Sequence, residues 1–252
     1  MQLVIPMAGM GRRFQDRGYT VPKPLIPVDG VPMIARVVRD LPRATRVVCV
    51  VHPEHVRSHG IDRLLRQLIP GCTVVQAPGL TAGQACSVRL AADLLDPADS
   101  VCVAACDNTH VYDADAFRRL TADGPECVVW TYRHEPRVLV HPEWYGWVRV
   151  EHGRVRSVSV KRPISETPLE DHVVSGTFWF RTARLMLEGI DRVVASGRRV
   201  NDEVYLDAVP DDLAGAGHDV RVFEVLKYIG WGTPADLDDY HLWSRYVRSL
   251  ME

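Results

Sequence analysis

The sequence predicts an α/β fold: a Rossmann-like, mixed but mainly parallel sheet flanked by helices, with a small antiparallel insertion in the second half. Three observations carry this reading. Apolar, β-rich runs alternate with helix-period segments through the first 125 residues. Those runs are almost continuously apolar, as strands covered on both faces require. After residue 126 the connections shorten and strand runs follow one another directly, which suits antiparallel pairing.

The strand runs are QLVIPM (2–7), RVVCVV (46–51), CTVVQ (72–76), SVCVAA (100–105) and CVVWTY (127–132). WVRVE (147–151), VRSVSV (155–160), VVSGTFWF (173–180), VRVFEV (220–225) and the short KYI (227–229) follow. Helical patterns lie near 31–41, 53–69, 82–95 and 113–121, then at 182–196, 203–215 and 235–250. The 53–69 segment carries an apolar stripe at Val56, Ile61, Leu64, Leu65 and Leu68, the spacing of one helix face. Glu151-His152-Gly153-Arg154 reads as a hairpin turn, and the polar, Pro-containing 161–172 reads as a loop.

A chain of 252 residues with 46% hydrophobic content is long enough for one large core without disulfides or a structural metal. The formal net charge of −2 argues against a broad nucleic-acid footprint. The six cysteines are scattered and form no C-x-x-C pair, so zinc is not expected and reduced, buried thiols are. No apolar run reaches membrane-spanning length, and the N-terminus opens on a strand without a leader. The expectation is a soluble, cytoplasmic protein with no membrane partner. Nothing in the sequence sets its oligomeric state, and a homo-oligomer is compatible with it.

The stretch at 5–30 is the richest in chemistry. A strand runs directly into Ala8-Gly9-Met10-Gly11-Arg12-Arg13, and Pro22-Lys23-Pro24-Leu25 follows. Small residues let backbone N–H groups approach a polyanion, and ligands in open parallel sheets bind at strand carboxyl ends. Arginine and lysine add fixed positive charge where phosphoryl chemistry develops negative charge. The prolines beside Lys23 hold its backbone extended. The dinucleotide fingerprint is absent: there is no third glycine, and no acidic residue closes the second strand at Val51-His52-Pro53.

This stretch resembles the N-terminal motif of the nucleotide-sugar pyrophosphorylase superfamily, a Gly-x-Gly-x-Arg loop followed by Lys-Pro-Leu. The resemblance implies a single NTP-transferase domain over 1–252, with a nucleotide half at 1–125 and an acceptor half at 126–252. It implies that Met7, Ala8, Gly9, Gly11 and Arg12 cradle the triphosphate while Arg13 and Lys23 neutralise the α-phosphate and departing pyrophosphate. Spacing from Gly9 permits either Arg12 or Arg13 in the catalytic role; Arg13 is preferred.

The remaining matches spread along the chain. The segment 76–85 joins a strand end to a helix, and Thr81 there suits a helix cap. By resemblance it lines the base pocket, with Gln76, Thr81, Gly83 and Gln84 as candidates. Asp107 ends the 100–106 strand, where the family places its metal-binding aspartate. One or two carboxylates suffice for Mg²⁺ when substrate phosphates complete the octahedron. Tyr145-Gly146, Gly176-Thr177-Phe178 and Glu203-Val204-Tyr205-Leu206 resemble acceptor-facing segments, and a further cationic anchor is expected at Lys161 or Arg162, before Pro163. Many family members carry a second metal-binding aspartate two residues before Gly-Thr-Pro; here that position is Gly230, and Asp236 is the nearest carboxylate.

These readings predict an Mg²⁺-dependent nucleotidyltransferase that passes a nucleotidyl group from an NTP to a small phosphorylated or phosphonate acceptor and releases pyrophosphate. Gly-Trp-Gly-Thr-Pro at 230–234 and Tyr-Gly-Trp at 145–147 resemble small cytidylyltransferase-like members and tilt the nucleotide toward CTP. The alternatives are a sugar-1-phosphate nucleotidyltransferase using GTP, UTP or dTTP, and a non-catalytic nucleotide-binding regulator. A glycosyltransferase would want a paired Asp-x-Asp at the strand end, whereas Asp107 is followed by Asn108 and Thr109.

Overall fold

The computed structural model describes residues 1–251. In chain order, β1 (Gln2–Met7) leads to α1 (Arg12–Gln15), the small ribbon β2 (Pro27–Val28) and β3 (Val31–Pro32), then α2 (Met33–Asp40) and β4 (Arg46–Val51). Next come α3 (Pro53–His59), α4 (Ile61–Leu68), β5 (Thr73–Gln76), α5 (Gln84–Arg89), β6 (Val101–Ala104), β7 (Asn108–Val111), α6 (Ala114–Ala122) and β8 (Cys127–Tyr132). The second half holds β9 (Gly146–Glu151), β10 (Arg154–Val160), β11 (His172–Phe180), α7 (Ala183–Ala195), α8 (Ala208–Gly215), β12 (Val220–Glu224), β13 (Lys227–Gly230) and α9 (Pro234–Ser249).

Nine strands form one sheet in the order β5-β4-β1-β6-β11-β8-β12-β10-β9. The first four are mutually parallel, and β11 is antiparallel to β6, β8 and β9. The predicted mixed, mainly parallel sheet with an antiparallel portion is what the chain forms. In β1 the period-2 pleat separates two cores: Leu3, Ile5 and Met7 join α2, α4 and α9 on one face, while Val4 joins α5, α7 and α8 on the other. A third cluster surrounds Trp130. The turn from β9 to β10 has positive φ at His152 (51°) and Gly153 (76°), as a two-residue hairpin requires.

Two local expectations need correction. The 53–69 helix is two, broken where Gly60 adopts a left-handed φ of 58°. Only 208–215 of the 203–215 pattern is helical, because the backbone at 203–204 is engaged instead by Val200, Ala82 and Ala85. The 227–230 strand pairs outside the main sheet, antiparallel to β7, which is too short and polar to announce itself. The strand order reverses at β1, with β4 and β5 on one side and β6 on the other. A crevice therefore opens at the carboxyl ends of β1 and β6.

Candidate active site

The β1 and β6 ends bring the first motif and Asp107 together. Gly11 turns with φ 67°, and a Cβ there would stand 3.2 Å from the Lys23 Cβ. Glycine at this point thus lets the loop and the Lys-Pro-Leu turn pack closely. Lys23 opens a 3-10 turn at Lys23–Leu25 between two prolines, and its ammonium donates to the Asp107 carboxylate and, at 3.0 Å, to the Gly232 carbonyl. Burial works against the Lys23 charge, but the Asp107 carboxylate beside it outweighs this and holds the ammonium above the ordinary lysine value. Lys23 is therefore a fixed cation.

Arg13 and Lys161 are among the cations that line an adjoining cleft of about 1150 Å³, which Lys23 itself does not line but borders through its bond to Asp107. The Arg13 guanidinium lies over the Trp144 ring, 4.0 Å from its centroid, and His141 stacks on that ring at 4.0 Å. The Lys161 ammonium donates to the Trp144 carbonyl and sits 5.3 Å from the Tyr205 ring centroid. Asp107, Tyr145, Gly146, Gly176 and Asp236 also line this cleft. Arg12 and Arg13 are both exposed, but Arg13 lines the cleft and Arg12 does not.

Backbone contacts tie the two halves of the chain together beside the cleft. The Ala105 N–H donates to the Gly176 carbonyl at 3.0 Å, where β11 bulges and Gly176 takes φ 85°. The Val204 N–H donates to the Ala82 carbonyl at 2.8 Å, and the Ala85 N–H to the Val204 carbonyl at 3.1 Å. A Cβ on Gly83 would stand 2.5 Å from Val204 backbone atoms, so this junction closes only over glycine. It seats the 201–206 segment, with Glu203, against the Thr81–Gln84 turn.

Several predicted residues stand apart. Met7 is a core residue, 3% exposed. The Thr177 side chain has no exposed surface, so only its neighbour Gly176 presents to the cleft. Thr81 does not cap α5; its hydroxyl donates to the Gly83 carbonyl at 3.1 Å and shares a hydrogen bond with Ser87. Ala8, Gly9, Gly11, Gln76, Thr81, Gly83 and Gln84 lie at the ends of β1 and β5, outside the cleft lining.

A divalent cation would need carboxylate oxygens turned toward the cleft. Asp236 accepts from the Thr233 N–H at 2.9 Å and hydroxyl at 2.8 Å, forming a capping box for α9, and from Arg137 at 3.3 Å. Both of its oxygens are thus engaged. The side chains of Asp107 and Asp236 nonetheless flank Gly232: a Cβ there would lie 3.6 Å from one and 3.7 Å from the other. No group of three His, Cys, Asp or Glu that could hold a metal occurs among the described residues. Asp107 is engaged as well, one oxygen accepting from Lys23 and the other from the Asn108 amide at 3.4 Å, so a divalent cation here would have to displace these partners and take its remaining ligands from phosphate oxygens.

The profile of the MobA-like NTP transferase domain matches residues 3–154, more than half of the chain. The chain belongs to the MobA-like NTP transferase family. It is a nucleotidyltransferase, and its fold recurs in solved structures of low sequence identity. A nucleoside-diphosphate-sugar pyrophosphorylase from Vibrio cholerae RC9 aligns with TM-score 0.76 at 22% identity, over 94% of this chain and 98% of its own. An inositol-1-phosphate CTP transferase from T. maritima aligns with TM-score 0.73 at 19% identity, over 96% and 94%. A UTP-bound UGPase from Acinetobacter baumannii aligns with TM-score 0.71 at 14% identity, over 100% and 98%. No match was found among curated protein sequences. No helix among the described residues is long and apolar enough to cross a membrane.

Sequence reasoning missed three residues of this nucleotidyltransferase cleft. Trp144 reads as a core aromatic, yet it carries Arg13 on its ring and Lys161 on its carbonyl. Asp207 reads as an ordinary helix residue, and Tyr228 as part of a short strand; both line the cleft. The Tyr228 ring also lies against Gly230. A Cβ on Gly230 would stand 2.8 Å from the Tyr228 ring, which takes up that space.

Proposed function

We propose that this nucleotidyltransferase transfers a cytidylyl group from CTP to a small phosphorylated or phosphonate acceptor and releases pyrophosphate. The observation that carries the reading is the Lys23–Asp107 pair at the ends of β1 and β6, beside a cleft that Asp107 and Arg13 line. The tilt toward CTP rests on the Gly-Trp-Gly-Thr-Pro segment and on the likeness to the inositol-1-phosphate CTP transferase. Transfer to a sugar 1-phosphate from UTP, GTP or dTTP is the second reading, and the likeness to a UTP-bound enzyme favours it.

In this mechanism a phosphate or phosphonate oxygen of the acceptor attacks the α-phosphorus, and pyrophosphate leaves in line. That nucleophile is anionic near neutral pH, so no general base is required. The loop at 8–12 approaches the triphosphate with its backbone N–H groups. Lys23, released from Asp107 toward phosphate, and Arg13, leaving the face of Trp144, neutralise charge on the α-phosphate and leaving group. Asp107 is the residue that would hold Mg²⁺, with Asp236 second if it exchanges Arg137 for the metal; when bound, the ion supplies further charge neutralisation and alignment of phosphate oxygens. The turn at Gln76, Thr81, Gly83 and Gln84 borders the base, while Tyr145, Gly146, Lys161, Gly176 and Glu203 border the acceptor. A matrix of four NTPs against a panel of phosphorylated acceptors, with Mg²⁺, tests this by pyrophosphate release. CTP-selective release supports the reading, and release with UTP, GTP or dTTP instead selects the second. No release with any pair contradicts both.

A further inference from the structure

A second cavity lies at the opposite end of the sheet from the cleft. It is a groove of about 790 Å³ that opens where β1 and β6 begin, at Met1 and Ser100, and it runs between the end of α2 and the flank of α6. The six residues of β1 separate it from the catalytic loop by roughly 20 Å. Its floor is aromatic. Tyr112, Phe117 and Trp179 line it, and all three belong to the cluster around Trp130. Tyr112 and Phe117 stand edge-on to the Trp130 ring, at 4.7 and 4.9 Å between centroids, so the core holds this floor from beneath.

The rim of the groove is cationic. Arg39, Arg43 and Arg118 line it, and Asp40 is the one carboxylate among its described lining residues. Arg43 is exposed and makes no ion pair or side-chain hydrogen bond among the described residues. Arg118 pairs with Asp115 one turn away on α6, and Arg39 with Asp40 at 2.9 Å, both through exposed guanidiniums. Exposed pairs of this kind contribute little, so these guanidiniums can turn to a better acceptor. Asp40 is occupied on both sides, since its second oxygen accepts from the Thr109 hydroxyl at 3.0 Å. The groove thus keeps an excess of positive charge above an apolar, aromatic base.

We propose that this groove is a second, non-catalytic binding site for a nucleoside phosphate, with the base on the Tyr112, Phe117 and Trp179 floor and the phosphates on Arg43, Arg118 and Arg39. Its volume lies within the range of about 300–1,000 Å³ usual for small-molecule sites. Guanidiniums match phosphate oxygens with paired donors, and an aromatic floor accepts any base because every base has a π-face. The Asp40–Thr109 bond joins the groove wall to β7, the strand that starts beside Asp107. This assignment does not depend on which nucleotide or acceptor the cleft uses.

The test uses the full chain, without acceptor. Equilibrium dialysis against radiolabelled CTP, and in a second arm ATP, counts the nucleotide bound per chain. The double variant Arg43→Glu/Arg118→Glu changes two exposed side chains, and circular dichroism checks its fold. It should lose one equivalent, with the Kd of that equivalent rising by about tenfold or more. Arg43→Gln/Arg118→Gln, a milder change, should weaken the same equivalent by less. Lys23→Ala should leave it in place. Hydrogen exchange at 39–43 and 112–122 should slow with nucleotide in the wild type and not in the charge-reversed variant. A count and exchange pattern unchanged by the reversal overturn the proposal. Displacement of the nucleotide by inorganic phosphate at the same concentration as by unlabelled CTP overturns it too, because the aromatic floor would then take no part. Absence of pyrophosphate release with every NTP and acceptor defeats the proposed function while the dialysis count still decides the groove.

Discussion

The Lys23 ammonium rests on the carboxylate of Asp107, 84 residues further along the chain. Neither side chain is fully enclosed, with exposures of 17% and 25%, so the pair sits at the mouth of the crevice rather than in the core. It closes the gap between the first loop and the end of β6. Each charge is thereby compensated by the other.

Trp144 holds Arg13 by a cation–π contact at 4.0 Å. At an exposed site such a contact contributes about 0.5–1 kcal/mol. Trp144→Leu should therefore leave the fold intact and raise the NTP KM severalfold, because Arg13 is no longer pre-positioned. Steady-state kinetics check this, and a KM equal to wild type removes Trp144 from the site.

Gly83→Ala attacks the junction of the two halves. The new Cβ would meet the Val204 backbone at 2.5 Å, at a φ of 129° that a substituted residue rarely adopts. Urea denaturation should show a loss of roughly 2–4 kcal/mol, in the range of strained or overpacked sites. Hydrogen exchange should rise at 81–85 and 201–206 together. Faster exchange confined to one segment would mean that they are not coupled.

How much of this was legible in the sequence follows from what each feature depends on. The parallel half was readable because RVVCVV and SVCVAA are apolar on both faces, and both became β-strands in the predicted layer. Gly11 and Lys23 were readable as a motif, although their direct packing was not. Asp207, Trp144 and Tyr228 were unreadable because their roles come from partners distant in the chain: Gly146, Arg13 and Gly230. Gly60 ended a helix whose apolar stripe continued past it, since periodicity does not register a change of axis.

Gly230→Asp restores the acid that many relatives of the superfamily are expected to carry, but into space held by the Tyr228 ring 2.8 Å away. The substitution should lower Tm and leave Mg²⁺ affinity, measured by calorimetry with bound NTP, unimproved. A tighter Mg²⁺ site without loss of Tm would show that Tyr228 yields readily.

His110 sets an acid limit on stability. It is 6% exposed, and neither ring nitrogen has a hydrogen-bond partner. Burial lowers its value to about 4, against the pull of Asp40. The unfolded imidazole takes up a proton near pH 6.5. Between about pH 6.5 and 4 the unfolded chain thus binds more protons, and stability falls as pH falls, by about 3 kcal/mol in all. His110→Phe should flatten that part of the urea-midpoint profile against pH. An identical slope in the variant would assign the acid sensitivity to other groups.

The most direct measurement is the single-turnover rate of pyrophosphate release in Lys23→Ala beside wild type, with the productive NTP and acceptor saturating and Mg²⁺ present. Removing one preorganised charge donor should slow release about a hundredfold, or roughly 3 kcal/mol, with circular dichroism unchanged. Release at the wild-type rate would contradict the account, because the cation held on Asp107 would then have no part in the transfer.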